Sequence, residues 1–383
     1  MLGEDSFRVK GPKLLFLIFL ANYAIITPVY TPQYRITNEI LANIGLVEAA
    51  KEVIKNAPLI PIYESRFKKD ALLRTVHHGT HIEGNDLTLS EVRKAIEGEE
   101  FVARERDIQE VINYRNVLKY LDSSKRELGE SPHYSQKMVK EINRIACERV
   151  ITDGRAGQYR QTQVVLKNSA TGEVAFRPPP AVEVPFLMED FFEWLNSTEA
   201  KRIHPALRAG IAHYYLVSVH PFVEANGRTT RALATLILFA EGYEINKFFS
   251  LEDYFDKDAA RYYQSLMAVD KQAKDLAKRD LTPWLEYFTQ AMGVELTRIK
   301  EKVKRLSVDI KIKGRVGKQV PLNERQIKLV EYLEEHGSLT TAEARKVADK
   351  YSDDTLVRDF NYFVKKGLVK KQGKTKAARY VLK

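Results

Sequence analysis

The sequence predicts a mainly α protein with one β-hairpin and a small C-terminal α+β domain. Three observations carry this. Apolar residues recur at helical spacing along most of the chain, most densely over residues 205–240. One stretch, Gly154 to Arg177, alternates instead and holds a turn signal, Asn168-Ser-Ala-Thr-Gly172. Asn323 to Lys383 divides into three short amphipathic helices followed by two alternating strands.

At 383 residues the chain has ample sequence for two or three domains, each with its own core. Lys and Arg outnumber Asp and Glu by 61 to 51, a formal charge of +10. That balance is compatible with a polyanionic partner and equally with a solvated basic surface. Cys147 is the only cysteine, which excludes an intrachain disulfide and points to a reducing, cytoplasmic setting. The sequence has no P-loop, no protein-kinase signature and no paired-cysteine zinc pattern.

Residues 1–34 are a hydrophobic N-terminal segment. Leu14 to Tyr30 follows Arg8, Lys10 and Lys13, as an export or anchor sequence would. Asn22, Thr27 and Pro28 interrupt it, and it falls short of the ~20 apolar residues a spanning helix needs. A non-native upstream start or a segment packed on the body is preferred, so no membrane partner is expected.

Residues 35–125 are predicted to be helical. Thr37 opens one helix, and a second runs from about Tyr63 to Val76. It leads into His77-His-Gly-Thr-His-Ile-Glu-Gly-Asn85. A metal site is discounted there, because the histidines are expected to surround a helix and not to share a face. Thr88-Leu-Ser-Glu91 fits a capping box for a helix ending near Gly98. A longer helix covers about Arg106 to Leu121.

Residues 126–292 are predicted as the core domain. It begins with an amphipathic helix from Ser135 to Arg149 and continues through the hairpin, whose strands are Gly154–Lys167 and Glu173–Arg177. A helix follows from about Val182 to Asn196. Two nearly all-apolar helices then flank a dense polar turn, His220-Pro-Phe-Val-Glu-Ala-Asn-Gly-Arg-Thr-Thr-Arg231. Residues 293–320 read as a linker helix with a basic linker, and 321–383 as the C-terminal domain.

The polar turn has the chemistry of a phosphate site. Burying one His, one Glu, one Asn and two Arg is costly without a ligand to satisfy them. Gly227 is expected to supply unusual backbone geometry, with amides facing an anion at a helix N-terminus. Arg228 and Arg231 are three apart and share a helix face, so they can grip two phosphates. Glu224 offers an oxygen for Mg²⁺, which takes one or two carboxylates plus phosphate oxygens. His220 suits removal of a proton from an attacking hydroxyl.

This turn resembles the signature of Fic-domain proteins, H-P-F-x-[D/E]-G-N-G-R-x-x-R. It departs at Ala225, where most adenylyltransferase members have Gly and the Doc branch has Ala. Gly227 differs from the Lys of the Doc branch. Thr80-His-Ile-Glu-Gly-Asn85 resembles the family's inhibitory motif, [S/T]-x-x-x-E-[G/N], with its hydroxyl residue three before Glu83 where four is usual. Gln109-Glu-Val-Ile-Asn-Tyr-Arg115 and Leu281-Thr-Pro-Trp-Leu-Glu-Tyr-Phe288 are also similar to the family, so the resemblance spans roughly 31–292.

The resemblance implies a Fic-type helical core whose hairpin is the flap that holds a target segment by β-augmentation. It implies ATP as substrate with Mg²⁺ on Glu224. His220 is implied to be the base. Ala225, Asn226, Gly227, Arg228, Thr229, Thr230 and Arg231 are implied to hold the phosphates, with Glu83 beside them. Val164, Val165 and Leu166 would line nucleotide and target, and Tyr262 and Tyr263 the adenine. Asp270 falls where some relatives carry an Asn near the base. Glu83 is implied to pair with Arg231 and inhibit.

The implied activity is transfer of AMP to a Ser, Thr or Tyr hydroxyl of a target protein or of the chain itself. Removal of AMP, a Doc-like phosphotransfer, and a nucleotide-sensing transcription regulator stand as alternatives. A homodimer is implied by relatives. The C-terminal domain reads as a winged helix, with Arg358, Lys365, Lys366, Lys370, Lys371, Lys374 and Lys376 laid out for DNA. Asp353, Asp354 and Asp359 on the same helix would repel phosphate, so DNA binding and protein docking both stay open.

Overall fold

The computed structural model describes residues 30–56, 61–129, 131–167, 172–243, 250–316, 320, 322–373 and 378–382. The hydrophobic stretch 14–29 and the hairpin tip 168–171 lie outside them.

Thr37 caps α1 (Asn38–Lys55) by accepting from the Ile40 amide. Then come α2 (Pro61–His81), α3 (Leu89–Glu97) and α4 (Glu105–Leu128). The Thr88–Glu91 capping box forms as expected, and Gly98 ends α3 in the left-handed region. Ser135 caps α5 (Gln136–Ala146).

The predicted hairpin shrinks to β1 (Leu166–Lys167) and β2 (Val174–Phe176), paired antiparallel with Leu166 opposite Phe176. Residues 154–165 are not strand. Their backbone is committed elsewhere: the Arg160 amide donates to Pro221 O at 2.8 Å, pinning the segment to the polar turn.

Next are α6 (Val184–Asn196), α7 (Thr198–Arg202), α8 (Pro205–Val219) and α9 (Asn226–Ala240). The last two are buried almost throughout, as their uncharged flanks predict, and lie at the centre of the main core. Then α10 (Leu251–Lys257) and α11 (Ala259–Asp270) lead to α12 (Thr282–Val316). This 35-residue helix runs unbroken through the boundary expected at 292, because no Gly-Pro break interrupts it. Its first half packs along α1, with Thr37 Oγ1 donating to Glu286 at 2.8 Å.

The C-terminal domain has its own core around Leu329, Leu333, Phe360 and Phe363. Its elements are α13 (Glu324–His336), β3 (Ser338–Thr340), α14 (Thr341–Val347), α15 (Asp353–Lys366), β4 (Val369–Gln372) and β5 (Arg379–Leu382). The sheet order is β3-β5-β4. Sequence reasoning missed β3: three residues are too short to show alternation, and only pairing with β5 makes them a strand. Among the described residues no helix is long and apolar enough to cross a membrane.

Candidate active site

The polar turn joins α8 to α9. His220 ends α8 at φ 51° and Ala225 precedes α9 at φ 58°, both left-handed. Gly227, by contrast, lies inside α9 and has no positive φ. The backbone demand expected at Gly227 therefore falls on Ala225. Gly227 serves another purpose, since a Cβ there would collide with the Glu83 carboxylate. Its missing side chain is the space that Glu83 occupies.

Asn226 holds the turn closed. Its Oδ1 accepts from Phe222 N and its Nδ2 donates to Phe222 O, both at 2.9 Å. Both ends of its side-chain amide are thus engaged within the turn. Thr229 is similar: it is buried, and its hydroxyl accepts from Asn143 Nδ2 at 3.2 Å. The N-cap Ala225 has no side-chain oxygen, so nothing from the cap satisfies the first amides of α9. Arg228 Nε and Nη1, Arg231 Nε and Thr230 Oγ1 are buried without a hydrogen-bond partner among the described residues. Such groups in a folded interior call for a ligand, and donors at a helix N-terminus call for an anion.

Arg231 meets the segment that carries Glu83. It donates to Gly79 O and to Glu83 Oε1, each at 2.8 Å. Burial alone would raise the Glu83 pKa, but the charges of Arg231 and Arg228 outweigh it and hold the carboxyl below its usual range. The Glu83 side chain keeps 26% exposure, so the pair sits at the edge of the site. Gly79 cannot carry the hydroxyl residue of the motif, because a Cβ there would strike the Tyr114 ring. Thr80 takes the hydroxyl instead and donates to Val76 O at 2.9 Å.

His220 Nδ1 lies 3.2 Å from Val217 O. A carbonyl only accepts, so the proton sits on Nδ1 and Nε2 is left as a base. Burial lowers the His220 pKa, which keeps the ring neutral at neutral pH. Glu224 is 35% exposed. Its Oε2 takes a bond from Arg106 Nη2 at 3.1 Å, and its Oε1 lies 3.6 Å from Arg228. Among the described residues no cluster of three or more His, Cys, Asp or Glu could hold a metal. One accessible carboxylate beside a turn with unpartnered buried donors fits a Mg²⁺ that would take its remaining oxygens from a ligand and water.

Val164, Val165 and Leu166 are half-buried at the start of β1. Tyr263 is 43% exposed and donates to Ile82 O at 3.3 Å, next to Glu83. Tyr262 is not available to a base: it is 1% exposed, one ring face stacks on Phe255, and its hydroxyl meets His213. Asp270 is bonded by Arg279 and Tyr214 at 2.7 Å each, which makes it part of the core wall.

Sequence reasoning missed the residues that hold the turn. Asn143 donates to Glu224 O and accepts from Gly157 N, both at 2.9 Å. Its signal is a polar residue on the buried stripe of α5, beside Val139, Ile142 and Ala146. Arg160 is buried and donates to His220 O at 2.8 Å, Pro179 O at 2.6 Å and Val219 O at 3.3 Å. Replacing it with Ala should cost about 3 kcal/mol in a denaturant melt, since several carbonyls lose a charged donor. Arg160→Lys should not restore this, because an ammonium cannot span the same fork.

The sequence comparisons agree with this geometry. Residues 133–238 match the Fic/DOC family, covering the turn and both flanking helices. Residues 133–238 thus carry a Fic/DOC domain. Residues 325–373 match a DeoR-like helix-turn-helix domain, which fits the winged helix. Protein adenylyltransferase Fic of Drosophila grimshawi is 33% identical over 46% of this chain and 35% of its own length. That of Drosophila melanogaster is 32% identical over 49% and 38%. The chain thus spans about a third of the length of the curated relatives it matches.

In fold, a Fic family protein from Desulfovibrio desulfuricans superposes with TM-score 0.60 at 21% identity, over 92% of this chain and 98% of that one. Fic-1 (residues 134–508) from C. elegans gives 0.57 at 26% identity, over 69% and 73%. The Fic architecture with an appended winged helix, expected from the sequence, is therefore present.

Proposed function

We propose that this Fic-family chain is a protein adenylyltransferase restrained by Glu83. The observation that carries the reading is the Arg231–Glu83 pair, set beside a free His220 Nε2 and an N-terminus of α9 that no side chain caps. ATP binds with phosphates against the first turn of α9, Arg228, Arg231 and Thr230. Glu224 would hold the accompanying Mg²⁺, which when bound neutralises charge on the phosphate oxygens. His220 takes the proton of a Ser, Thr or Tyr hydroxyl on a target protein. That oxygen bonds to the α-phosphorus, the bond to the β-phosphate oxygen breaks, and pyrophosphate leaves. Arg228 and the α9 amides stabilise the charge that develops. The target's hydroxyl segment would lie along the β1–β2 hairpin.

Incubation of the unaltered chain, Glu83→Gly and His220→Ala with ATP labelled at either the α or the γ position tests this, with the outcome read on the released Glu83→Gly variant. Label on protein from the α position alone is expected. Label from γ alone would mean a Doc-like phosphotransferase, and none from either would favour AMP removal or nucleotide sensing. The buried Cys147 thiol and the absence of other cysteines fit a cytoplasmic enzyme. A homodimer is part of the proposal and is read by light scattering.

The winged helix supports a second role, DNA contact. The repulsion expected from its aspartates is largely cancelled. Asp359 is buried against Arg325 and Gln326, and Asp353 pairs with Arg345. Arg358, Asn361 and Lys365 remain exposed on one face of α15, with Lys370 and Lys371 on β4. Arg358→Ala with Lys365→Ala should weaken binding to duplex DNA and lower the salt slope by about 2, since each lost phosphate contact removes ~0.9. No binding of the unaltered chain at low salt would end this reading.

A further inference from the structure

Two charged clusters border the turn that carries Glu83. One is spent on packing. His78 Nδ1 and His81 Nδ1 each lie 2.7 Å from a carboxylate oxygen of Asp256, so these histidines share a face of α2, contrary to the sequence expectation. The other cluster surrounds Arg228, and its acids are Glu224 of the polar turn and Glu110 of α4. Glu110 belongs to Gln109-Glu-Val-Ile-Asn-Tyr-Arg115, a stretch with no part so far in the proposed transfer.

The second cluster alternates charge in a closed ring. Arg228 Nη2 lies 3.6 Å from Glu110 Oε1 and 3.6 Å from Glu224 Oε1. Arg106 joins the two acids, with Nε donating to Glu110 Oε1 and Nη2 to Glu224 Oε2, each at 3.1 Å. The acids differ in setting. Glu224 reaches solvent, so it can turn away from Arg228. The Glu110 side chain is only 7% exposed, and its second oxygen is held. Asn85, itself buried, donates from Nδ2 to Glu110 Oε2 at 3.3 Å and to Asp107 O at 3.0 Å. Arg228 is thus anchored on a carboxylate that has nowhere else to go. Its Nε and Nη1 are buried without a hydrogen-bond partner among the described residues.

We propose that Glu110 is a positioning residue for the transfer: it fixes Arg228 so that Nε and Nη1 face the phosphates, and it still does so when Glu224 is engaged elsewhere. The proposal rests on the reading of Arg228 as a phosphate donor. Without an acid behind it, a buried arginine still attracts a polyanion through its charge, but its guanidinium is free to turn. Ground-state binding draws mainly on that charge. Transition-state stabilisation needs donors already aimed at the oxygen where charge develops. Glu110 also offsets part of the Arg228 charge and so lowers ground-state affinity. Neutralising Glu110 should therefore separate binding from transfer.

The test adds Glu110→Gln to the full chain carrying Glu83→Gly. ATP affinity, read by calorimetry, should hold or tighten. Transfer from α-labelled ATP should fall roughly tenfold, within the range of coupling between groups in one charged network. Glu110→Asp keeps the charge and withdraws it by one methylene. It should show the same split to a smaller degree, and it carries the test if Glu110→Gln does not fold. In an Arg228→Lys background Glu110→Gln should cost nothing further, because the planar fork it holds is gone. An unchanged rate, a loss of affinity in step with rate, or a full further loss in the Arg228→Lys background would each overturn the assignment. Nitrogen-15 spectra of the Arg228 guanidinium, assigned by its loss in Arg228→Lys, need no turnover. The Nη protons should give separate signals while Glu110 is present and merge by rotation in Glu110→Gln. Signals that stay separate in the variant would also overturn the assignment. If Glu83→Gly takes no label from ATP while the Nη signals merge as expected, the Glu110 anchor stands and the transferase reading fails.

Discussion

Replacing Glu83 with Gly should raise AMP transfer roughly 30-fold, the equivalent of about 2 kcal/mol released at Arg231. The pair is a charged 2.8 Å contact in which the arginine is buried and the acid is one-quarter exposed. While it holds, the guanidinium faces Glu83 and cannot receive a phosphate, so the competent fraction of the protein is small. A ligand's apparent affinity falls by that fraction. Both ATP affinity and turnover should therefore improve in the variant, as read by calorimetry and by label from α-labelled ATP. Glu83→Gln, which keeps the shape and loses the charge, should give an intermediate rise. No increase in either variant would remove Glu83 from any inhibitory role. The effect does not depend on a new contact, because Gly227 already leaves the space that Glu83 vacates.

Substituting His220 with Ala should lower transfer by about 10²–10⁴, the usual contribution of a positioned base. ATP affinity should stay nearly unchanged, since the proposed phosphate donors belong to α9. The pH profile adds a second reading. Burial lowers the His220 pKa, so the neutral, active form persists to more acid pH than for an ordinary imidazole. In a Glu83→Gly background the rate should hold its plateau through neutral pH and fall only below the usual histidine range. A profile that falls already near neutrality would mean that His220 is not the base. Nucleotide binding lost together with activity would mean that the substitution collapses the turn.

Much of this was legible in the chain. The helices at Thr37, Thr88 and Ser135 begin at capping residues, and caps are local chemistry. The site's chemistry was local too. His220, Glu224, Arg228 and Arg231 lie within one turn and the helix it opens, so their spacing already sets an imidazole, a carboxylate and two guanidinium groups close together.

What the sequence could not supply depends on partners distant along the chain. Tyr262 and Tyr263 look alike as neighbours, yet Phe255 covers one and solvent reaches the other. Asn226 has the composition of a ligand, and Phe222 claims both ends of its amide. Asp359 reads as a repulsive surface charge until Arg325 and Gln326 bury it. Arg160 and Asn143 show no functional pattern, because their partners are backbone carbonyls and a hydroxyl of a turn dozens of residues away. Local propensity and spacing determined the elements and the kind of chemistry. Tertiary structure decided which polar groups were already spent on the fold and which were left for a ligand, since hydrogen-bond satisfaction is settled by neighbours in space.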